Sequence, residues 1–271
     1  MTPRHDSRPC RLLTRSLRLA SLAVALLTCW LTPLSASADR KIFAHTYPYG
    51  TLPAGALELE HYLDAAFDEV DDPATEDVEE GLLRPSWTHQ VEVEMGLTDR
   101  LDLGFYNVAR QKPFESFEYR GVKLRSRYRF GDEGDFLLDP AVYLEAAYFG
   151  DEIKFEQRSI LAKRFGALEA SLNLKFEQEF KLKPDKTEFE LLFIPSFGLG
   201  YHITEHVALA AEYLGRMKVE HGELEYFAHY LGPVVSVAGR TFWWTIGVHP
   251  ELNAVEERPD LLARSVFALM F

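Results

Sequence analysis

Apolar and polar residues alternate at a period of two through most of the chain after residue 55. In the segment 168–180 the even-numbered residues are apolar at all positions but one, whereas the odd-numbered residues are polar or charged. Successive side chains of a β-strand point to opposite faces of the sheet, so this pattern predicts a strand with one apolar face and one polar face. The alternation therefore predicts an all-β protein.

Twelve segments carry this alternation, and most of the connectors between them are alternately very short and longer. The predicted strands are residues 56–67, 87–97, 101–110, 117–130, 140–149, 153–165, 168–180, 187–203, 207–216, 225–238, 241–249 and 261–271. A strand that crosses a bilayer needs roughly 9–11 residues. An even number of strands with short connectors on one side is typical of a closed antiparallel transmembrane β-barrel. We therefore predict such a barrel with about 12 strands, and the segment boundaries also allow a count from about 10 to about 14.

Two further motifs support a barrel in lipid. The last predicted strand places Phe271, Leu269 and Phe267 on one face, and Arg264 lies on the other. A long apolar strand at the end of a chain would be an aggregation hazard as an open sheet edge, but it can close a barrel. The second motif, Gly-Leu-Thr-Asp-Arg-Leu-Asp-Leu-Gly at residues 96–104, has an echo at residues 200–209. Both copies predict a strand, a tight turn and another strand.

These motifs resemble those of Gram-negative outer-membrane β-barrels, which end in a strand with a terminal Phe and carry similar hairpins on the periplasmic side. Within that class the chain is similar to small transporter-type barrels linked to phenol meta-cleavage pathways, and to uncharacterised relatives with a lead like the Tyr-Pro-Tyr-Gly of residues 47–50. The resemblance implies an assembly signal at Phe271, Leu269 and Phe267. It also implies outer-membrane lipid and the barrel-assembly machinery as partners, but no particular solute.

The first 38 residues have the composition of a secretory leader. A segment with five Arg precedes the apolar run 19–31, and Ala36-Ser37-Ala38 fits the small-x-small cleavage rule. The apolar run is shorter than the roughly 20 residues of a membrane-spanning helix. A lipoprotein leader ending before Cys29 is the alternative, which the size of Thr28 disfavours. We therefore predict a signal peptide at residues 1–38, a periplasmic lead-in at 39–55 and an outer-membrane barrel at 56–271.

Charge and cysteine content exclude several functions. The chain has 29 basic and 42 acidic residues, and loss of the leader leaves 24 and 41, a formal charge of −17. Nucleic-acid binding needs a basic footprint, so we expect no nucleic-acid partner. Both cysteines lie in the leader, so the mature chain would have no thiolate metal site and no cysteine nucleophile. The sequence contains no zinc, phosphate-loop or dinucleotide motif, and we expect no cofactor or metal.

Charged residues dominate the strand faces that are predicted to line the lumen. The pore-lining candidates are Lys123, Arg125, Arg127, Arg129, Glu58, Glu60, Glu92, Glu94, Glu145, Glu177, Glu179 and Glu190. In an open pore such residues set ion preference and orient solutes. The alternative is that opposite charges pair across a narrow lumen and stabilise a closed barrel. Aromatic residues near strand ends, among them Trp243 and Trp244, are predicted to form the interfacial girdles.

A lipid-acting hydrolase is the rival to a channel. Such an enzyme would place a Ser and a His near the membrane surface, and Ser86 and His89 are the nearest local pair. The chain lacks the His-x-Ser setting of those families, so we predict no catalytic residues. The acidic stretch 68–80 lacks the spacing of a calcium loop and is interpreted as a solvated loop. The sequence thus favours an outer-membrane channel or uptake pore for a small-molecule solute, with the hydrolase and a closed structural or interaction barrel as alternatives.

Overall fold

The computed structural model describes residues 40–69, 83–220, 222–256 and 258–271. Twelve strands lie in these ranges: β1 (Leu57–Glu69), β2 (Leu83–Thr98), β3 (Leu101–Gln111), β4 (Glu118–Arg129), β5 (Asp139–Tyr148), β6 (Glu152–Phe165), β7 (Leu168–Leu182), β8 (Thr187–His202), β9 (Val207–Glu220), β10 (Glu223–Ala238), β11 (Phe242–Pro250) and β12 (Leu261–Met270). The predicted leader with its cleavage site, and most of the acidic stretch 68–80, lie outside the described residues. No helix in the described ranges is long and apolar enough to cross a membrane.

The sheet closes on itself. Each strand pairs antiparallel with the next strand in the chain, and β1 pairs with β12, where Tyr62 lies opposite Val266. Closure gives every strand a hydrogen-bonded neighbour on both sides, as a sheet surrounded by lipid requires. The prediction of a closed, all-β, antiparallel barrel of about 12 strands is confirmed.

The two faces of the strands differ in polarity. On β2, Val91, Val93 and Met95 are 43–45% exposed, whereas Glu92 and Glu94 between them are buried inside the barrel. An Arg or Lys that faces lipid at mid-membrane costs roughly 2–4 kcal/mol, and a slip of one residue would exchange the two faces of a strand. The apolar outer face therefore fixes the register and directs the charged side chains into the lumen.

The hairpin between β9 and β10 is longer than the sequence pattern predicts. Residues 217–223 are predicted as a loop, but β9 continues to Glu220 and β10 begins at Glu223. Nζ of Lys218 lies 2.7 Å from Glu225 and 3.4 Å from Glu190. The polar residues of this region are therefore strand residues that form ion pairs between neighbouring strands.

Most of residues 40–54, which precede β1, lie inside the barrel, and we term this segment the lumenal loop. Arg40 Nη1 donates to the Glu205 carbonyl and Thr51 Oγ1 donates to the Asp99 carbonyl, each at 3.0 Å. Both acceptors lie in tight turns, so the loop enters and leaves at the end of the barrel with the short connectors, the short-connector end. Most of residues 41–52 are buried, because the inner face of the barrel supplies partners that the segment's own pattern does not reveal, and the predicted bounds of leader, lead-in and barrel stay a prediction.

Candidate functional site in the barrel lumen

Glu212 on β9 holds the apex of the lumenal loop. The backbone N–H groups of Ala44, His45 and Thr46 donate to its carboxylate oxygens at 3.0, 2.8 and 2.5 Å. Nε2 of His249 on β11 lies 3.0 Å from the same carboxylate. A buried carboxylate needs donors and an irregular buried backbone needs acceptors, so each satisfies the other. Polar contacts therefore hold the apex inside the lumen, against β9.

Asn173 on β7 holds the second arm of the loop. Its Oδ1 accepts from the Tyr47 N–H at 2.8 Å, and its Nδ2 donates to the Tyr47 carbonyl at 2.9 Å. Ser171 Oγ donates to the same carbonyl at 2.7 Å. The Tyr47 ring lies 4.3 Å from the guanidinium of Arg158, a distance at which cations and aromatic rings attract each other. The inner face of the barrel thus recognises this arm through both its backbone and its side chain.

Inward-facing glycines of β8 make room for the first arm of the loop. A Cβ added at Gly198 would clash with the ring of Phe43, and one added at Gly200 would lie 2.5 Å from Cδ1 of Ile42. Phe43 and Ile42 are both buried. Glycine within a strand often marks a close approach of other chain segments. The Gly-Leu-Gly of residues 198–200 is therefore a sequence signal for the loop, although the alternation of the strands alone does not reveal it.

Lys41, also in the first arm, is buried against acidic residues of β1 and β2. Its Nζ lies 2.6 Å from Glu60 and 3.9 Å from Glu94, and it donates to the Tyr62 hydroxyl at 2.7 Å. Burial by itself lowers the pKa of Lys41, but the carboxylates, Glu60 foremost, hold it above its ordinary value. Glu58, Glu60 and Glu94 are close enough together to bind a metal ion. The ammonium of Lys41 supplies positive charge to that cluster.

Arg125 and Arg127 on β4 are buried in a network with β2 and β3. Arg125 Nε donates to Glu92 at 2.8 Å, and Arg127 Nη2 donates to Asp102 at 2.9 Å. Gly104 on β3 lies opposite Arg125 on β4 and opposite Glu94 on β2. Because Gly104 has no side chain, Arg125 can reach across β3 to Glu92. The network lies on one wall, and the lumenal loop contacts it there, since the Leu52 N–H donates to Asp102 at 3.1 Å. Together they occupy the lumen near the short-connector end, and the charges of the network pair between neighbouring strands of one wall rather than across the lumen.

The remaining pore-lining candidates also have partners. The pairs are Lys123 with Glu145 at 3.1 Å, Arg129 with Asp132 at 2.8 Å, Arg127 with Glu94 at 2.9 Å, Lys175 with Glu177 at 2.9 Å, Lys154 with Glu179, and Lys181 with Glu190 at 2.5 Å. Trp243 Nε1 donates to Glu58 at 3.0 Å. The girdle position predicted for Trp243 is wrong, because the register of β11 turns it inward and leaves Trp244 on the outer face. The role of the candidates as a pore lining stays a prediction.

Between the loop apex and the long connectors lies a cavity of about 490 Å³, which we term the vestibule. His45 contributes to its floor. Its described lining includes six basic residues, Arg110, Lys154, Arg158, Lys175, Arg216 and Arg264, and two acidic ones, Asp64 and Glu177. None of the six basic residues was a pore-lining candidate, although alternation along β6 and β7 places Lys154, Arg158 and Lys175 inward. The vestibule therefore has the opposite charge to the chain as a whole.

Acidification is expected to loosen the lumenal loop through His45. The charged or titratable groups around the apex are Glu212 and Arg216 on β9, Arg158 on β6, Lys175 on β7, His249 on β11 and Arg264 on β12. Burial, and then Arg264 and His249, hold the pKa of His45 well below its ordinary value of 6.5. The docked loop therefore favours neutral His45. Docking should be pH-independent above about pH 6.5 and weaken about tenfold per pH unit below it, until the docked pKa is reached.

Conductance across a lipid bilayer checks this expectation. Open probability should rise as the pH falls from 7.5 to 5 in the natural chain, and His45→Gln should remove most of that rise. An unchanged pH response in His45→Gln would assign the effect to other groups.

Ser86 and His89, the candidate catalytic pair, lie on opposite faces of β2. Ser86 lines the vestibule. His89 is on the outer face, where its Nδ1 lies 3.3 Å from Nε2 of His61. Positions three apart in a regular strand point in opposite directions. Ser86 and His89 therefore cannot act together as nucleophile and base.

Comparison with known proteins shows the fold. No protein-family model matches the chain, and no curated protein matches it. The COG4313 outer membrane channel from Pseudomonas putida F1 is 14% identical, with a TM-score of 0.59, over 82% of this chain and 98% of that one. The NanC porin is 8% identical, with a TM-score of 0.52, over 79% of this chain and 98% of that one. The fold is shared with outer-membrane channels. At these identities the likeness concerns the barrel architecture alone.

Proposed function

We propose that this protein is an outer-membrane channel for the passive uptake of a small solute, and that the lumenal loop is its gate. The observation that supports this best is the position of the loop. A segment outside the strands separates a 490 Å³ vestibule from the short-connector end. Displacement of that segment would join the vestibule to the other side without breaking any hydrogen bond between strands.

The predicted processing supports a movable loop. Cleavage after Ala38 would leave Asp39 as the first residue, directly before Arg40 where the loop begins. One end of the loop would then be free, and the loop could leave the lumen without threading. The short-connector end would face the periplasm, where both chain ends of such barrels lie. Mass spectrometry of the mature protein would check the cleavage, and a lipid on Cys29 would contradict it.

Two features indicate the class of solute: the charge of the vestibule and the resemblance to one kind of transporter barrel. Similarity to transporter-type barrels linked to phenol meta-cleavage pathways supports a small organic solute. The basic vestibule favours a negatively charged one over a neutral or cationic one. The closed structural barrel, which the Arg125 network favours, is the alternative function, and it differs from the channel in whether the loop moves.

Assembly is expected to depend on the terminal strand. Phe271→Asp should strongly reduce insertion, because this residue ends the signal that the barrel-assembly machinery would recognise. Phe165→Asp is a matched control, since both side chains are 64% exposed. Heat-modifiable gel migration of outer-membrane fractions measures the folded share. Equal folded shares for the two variants would contradict an assembly signal at Phe271.

Planar-bilayer recording of the refolded mature chain, residues 39–271, tests the proposed function. A channel should give discrete conductance steps and should admit solute into liposomes. Release of fatty acid from phospholipid without conductance would instead support the hydrolase. A folded barrel with neither activity would contradict the channel and support the structural alternative.

A further inference from the structure

Two arginines in the vestibule differ from the other basic residues there. The other four pair with carboxylates: Lys154 with Glu179, Arg158 with Glu156 at 2.8 Å, Lys175 with Glu177 at 2.9 Å, and Arg264 with Asp64. Arg110 and Arg216 form no ion pair with any residue in the described ranges, and the buried Nε of each has no hydrogen-bond partner there. Two of the strongest donors in the lumen are therefore available to a ligand.

Arg110 and Arg216 lie on opposite walls of one cavity. Arg110 is near the end of β3 and Arg216 is on β9, six strands away in a ring of twelve, and both line the vestibule. Strands spaced by about 4.8 Å and tilted by about 40° give a twelve-stranded barrel a backbone diameter of about 24 Å. The two arginines thus line the same cavity from opposite sides of the barrel.

The chemistry of these groups selects the ligand. A guanidinium has five N–H donors and no acceptor, and its planar fork matches the two oxygens of a carboxylate. A partly buried cation without a counter-ion is costly, and a bound anion removes that cost. The hydroxyls of Ser86, Thr88 and Ser196 also line the vestibule and can donate to or accept from a polar solute. A cavity of about 490 Å³ lies within the range of roughly 300–1,000 Å³ that is usual for small-molecule sites.

We infer that the vestibule binds a small organic dianion, with one carboxylate at Arg110 and the other at Arg216. The biological role of this site rests on the proposed channel, whose solute the dianion would be. Two anchors on opposite walls favour a molecule with carboxylates at its two ends over a compact anion. The paired lysines and arginines between the anchors shape the opening, whereas the two unpaired arginines supply the specific contacts.

Calorimetric titration of the mature protein in detergent tests the site with three probes of equal chain length. Adipate carries two carboxylates, hexanoate one, and 1,6-diaminohexane two ammonium groups. Adipate should bind at least about tenfold more tightly than hexanoate, since each guanidinium–carboxylate contact contributes about a factor of ten or more. The diamine should not bind. Inorganic phosphate, a compact anion, should bind more weakly than adipate, and tighter phosphate binding would overturn the two-anchor arrangement.

Substitutions locate the site. Arg110→Gln and Arg216→Gln should each lower adipate affinity to about that of hexanoate, and Arg216→Lys should fall between, because an ammonium keeps the charge but loses the fork. Arg240→Gln removes the same charge at an exposed turn residue and should leave adipate affinity unchanged. Unchanged adipate affinity in both Arg110→Gln and Arg216→Gln, each shown to be folded by heat-modifiable migration, would overturn the inference.

Failure of the site and failure of the channel give different results. Binding in detergent requires no transport, so adipate binding without any conductance would reject the channel and keep the site. Adipate flux into liposomes, together with an adipate affinity that neither Arg110→Gln nor Arg216→Gln changes, would support the channel and reject the site.

Discussion

Deletion of residues 41–50 is expected to turn the protein into a constantly open channel with a several-fold larger conductance than the intact mature chain. The deletion removes Ile42 and Phe43, which fill the space beside Gly198 and Gly200, and the apex that Glu212 holds. The strands begin at Leu57 and keep all their pairings. Water would replace the loop and solvate the carboxylates that it covered. Single-channel recording measures the conductance.

A shortened connector on the same side is the control for this deletion. Replacing residues 133–137 by a tight turn changes a part of the short-connector end that includes Leu137, which is 90% exposed. This variant should conduct like the natural chain. Equal conductance for the natural chain and the 41–50 deletion would show that the loop does not obstruct the pore.

Replacement of Lys41 by Met is expected to release the loop. The change leaves Glu60 without the ammonium that lies 2.6 Å from it, and it withdraws positive charge from Glu58 and Glu94. Removal of one partner of a buried ion pair typically costs about 3–5 kcal/mol. Departure of the loop would admit water and relieve much of that cost, so we expect the loop to undock before the barrel unfolds. Protease cleavage within residues 40–54 should then accelerate, and the conductance should rise.

Two variants separate this effect from a general loss of stability. Lys186→Met removes an exposed lysine whose side chain is 65% accessible, and it should change little. Lys41→Met combined with Glu60→Gln removes both charges of the pair and should restore much of the protection of the loop. Protease resistance in Lys41→Met equal to that of the natural chain would contradict the role of Lys41 as an anchor.

The strands were predictable because their constraint is local and repeated. Along β2 each outward position meets lipid and each inward position meets the lumen, so the sequence alternates and reports the register directly. The inward direction of Arg125 and Arg127 follows from the same pattern. Their pairing with Glu92 and Asp102 was only one of two alternatives, because it depends on Gly104, whose missing side chain lets an arginine reach across a strand.

The lumenal loop was not predictable from its own sequence. Residues 40–54 have no period, and their burial is decided by residues far away in the chain, such as Glu212 and Asn173. The only sign of the loop in the sequence lies in the barrel strands, where the inward-facing glycines of β8 leave room for another segment. Arg110 and Arg216 were missed for a related reason. A charge near a predicted strand end gives no sign of whether an acidic partner lies nearby.

A reversible cross-link between the loop and the barrel wall tests the gate most directly. A Cβ at Gly247 would lie 2.7 Å from Cβ of Ala44, about 1 Å closer than the roughly 3.8 Å usual in a disulfide. A small retreat of the loop would therefore allow a bond between cysteines at these two positions, and the mature chain has no others. The Ala44→Cys, Gly247→Cys protein is reconstituted in a bilayer, and its conductance is recorded before and after a reducing agent is added. If the lumenal loop is the gate, the barrel should be closed while the disulfide is intact and should show conductance steps once it is reduced, whereas equal conductance in both states would contradict this gate.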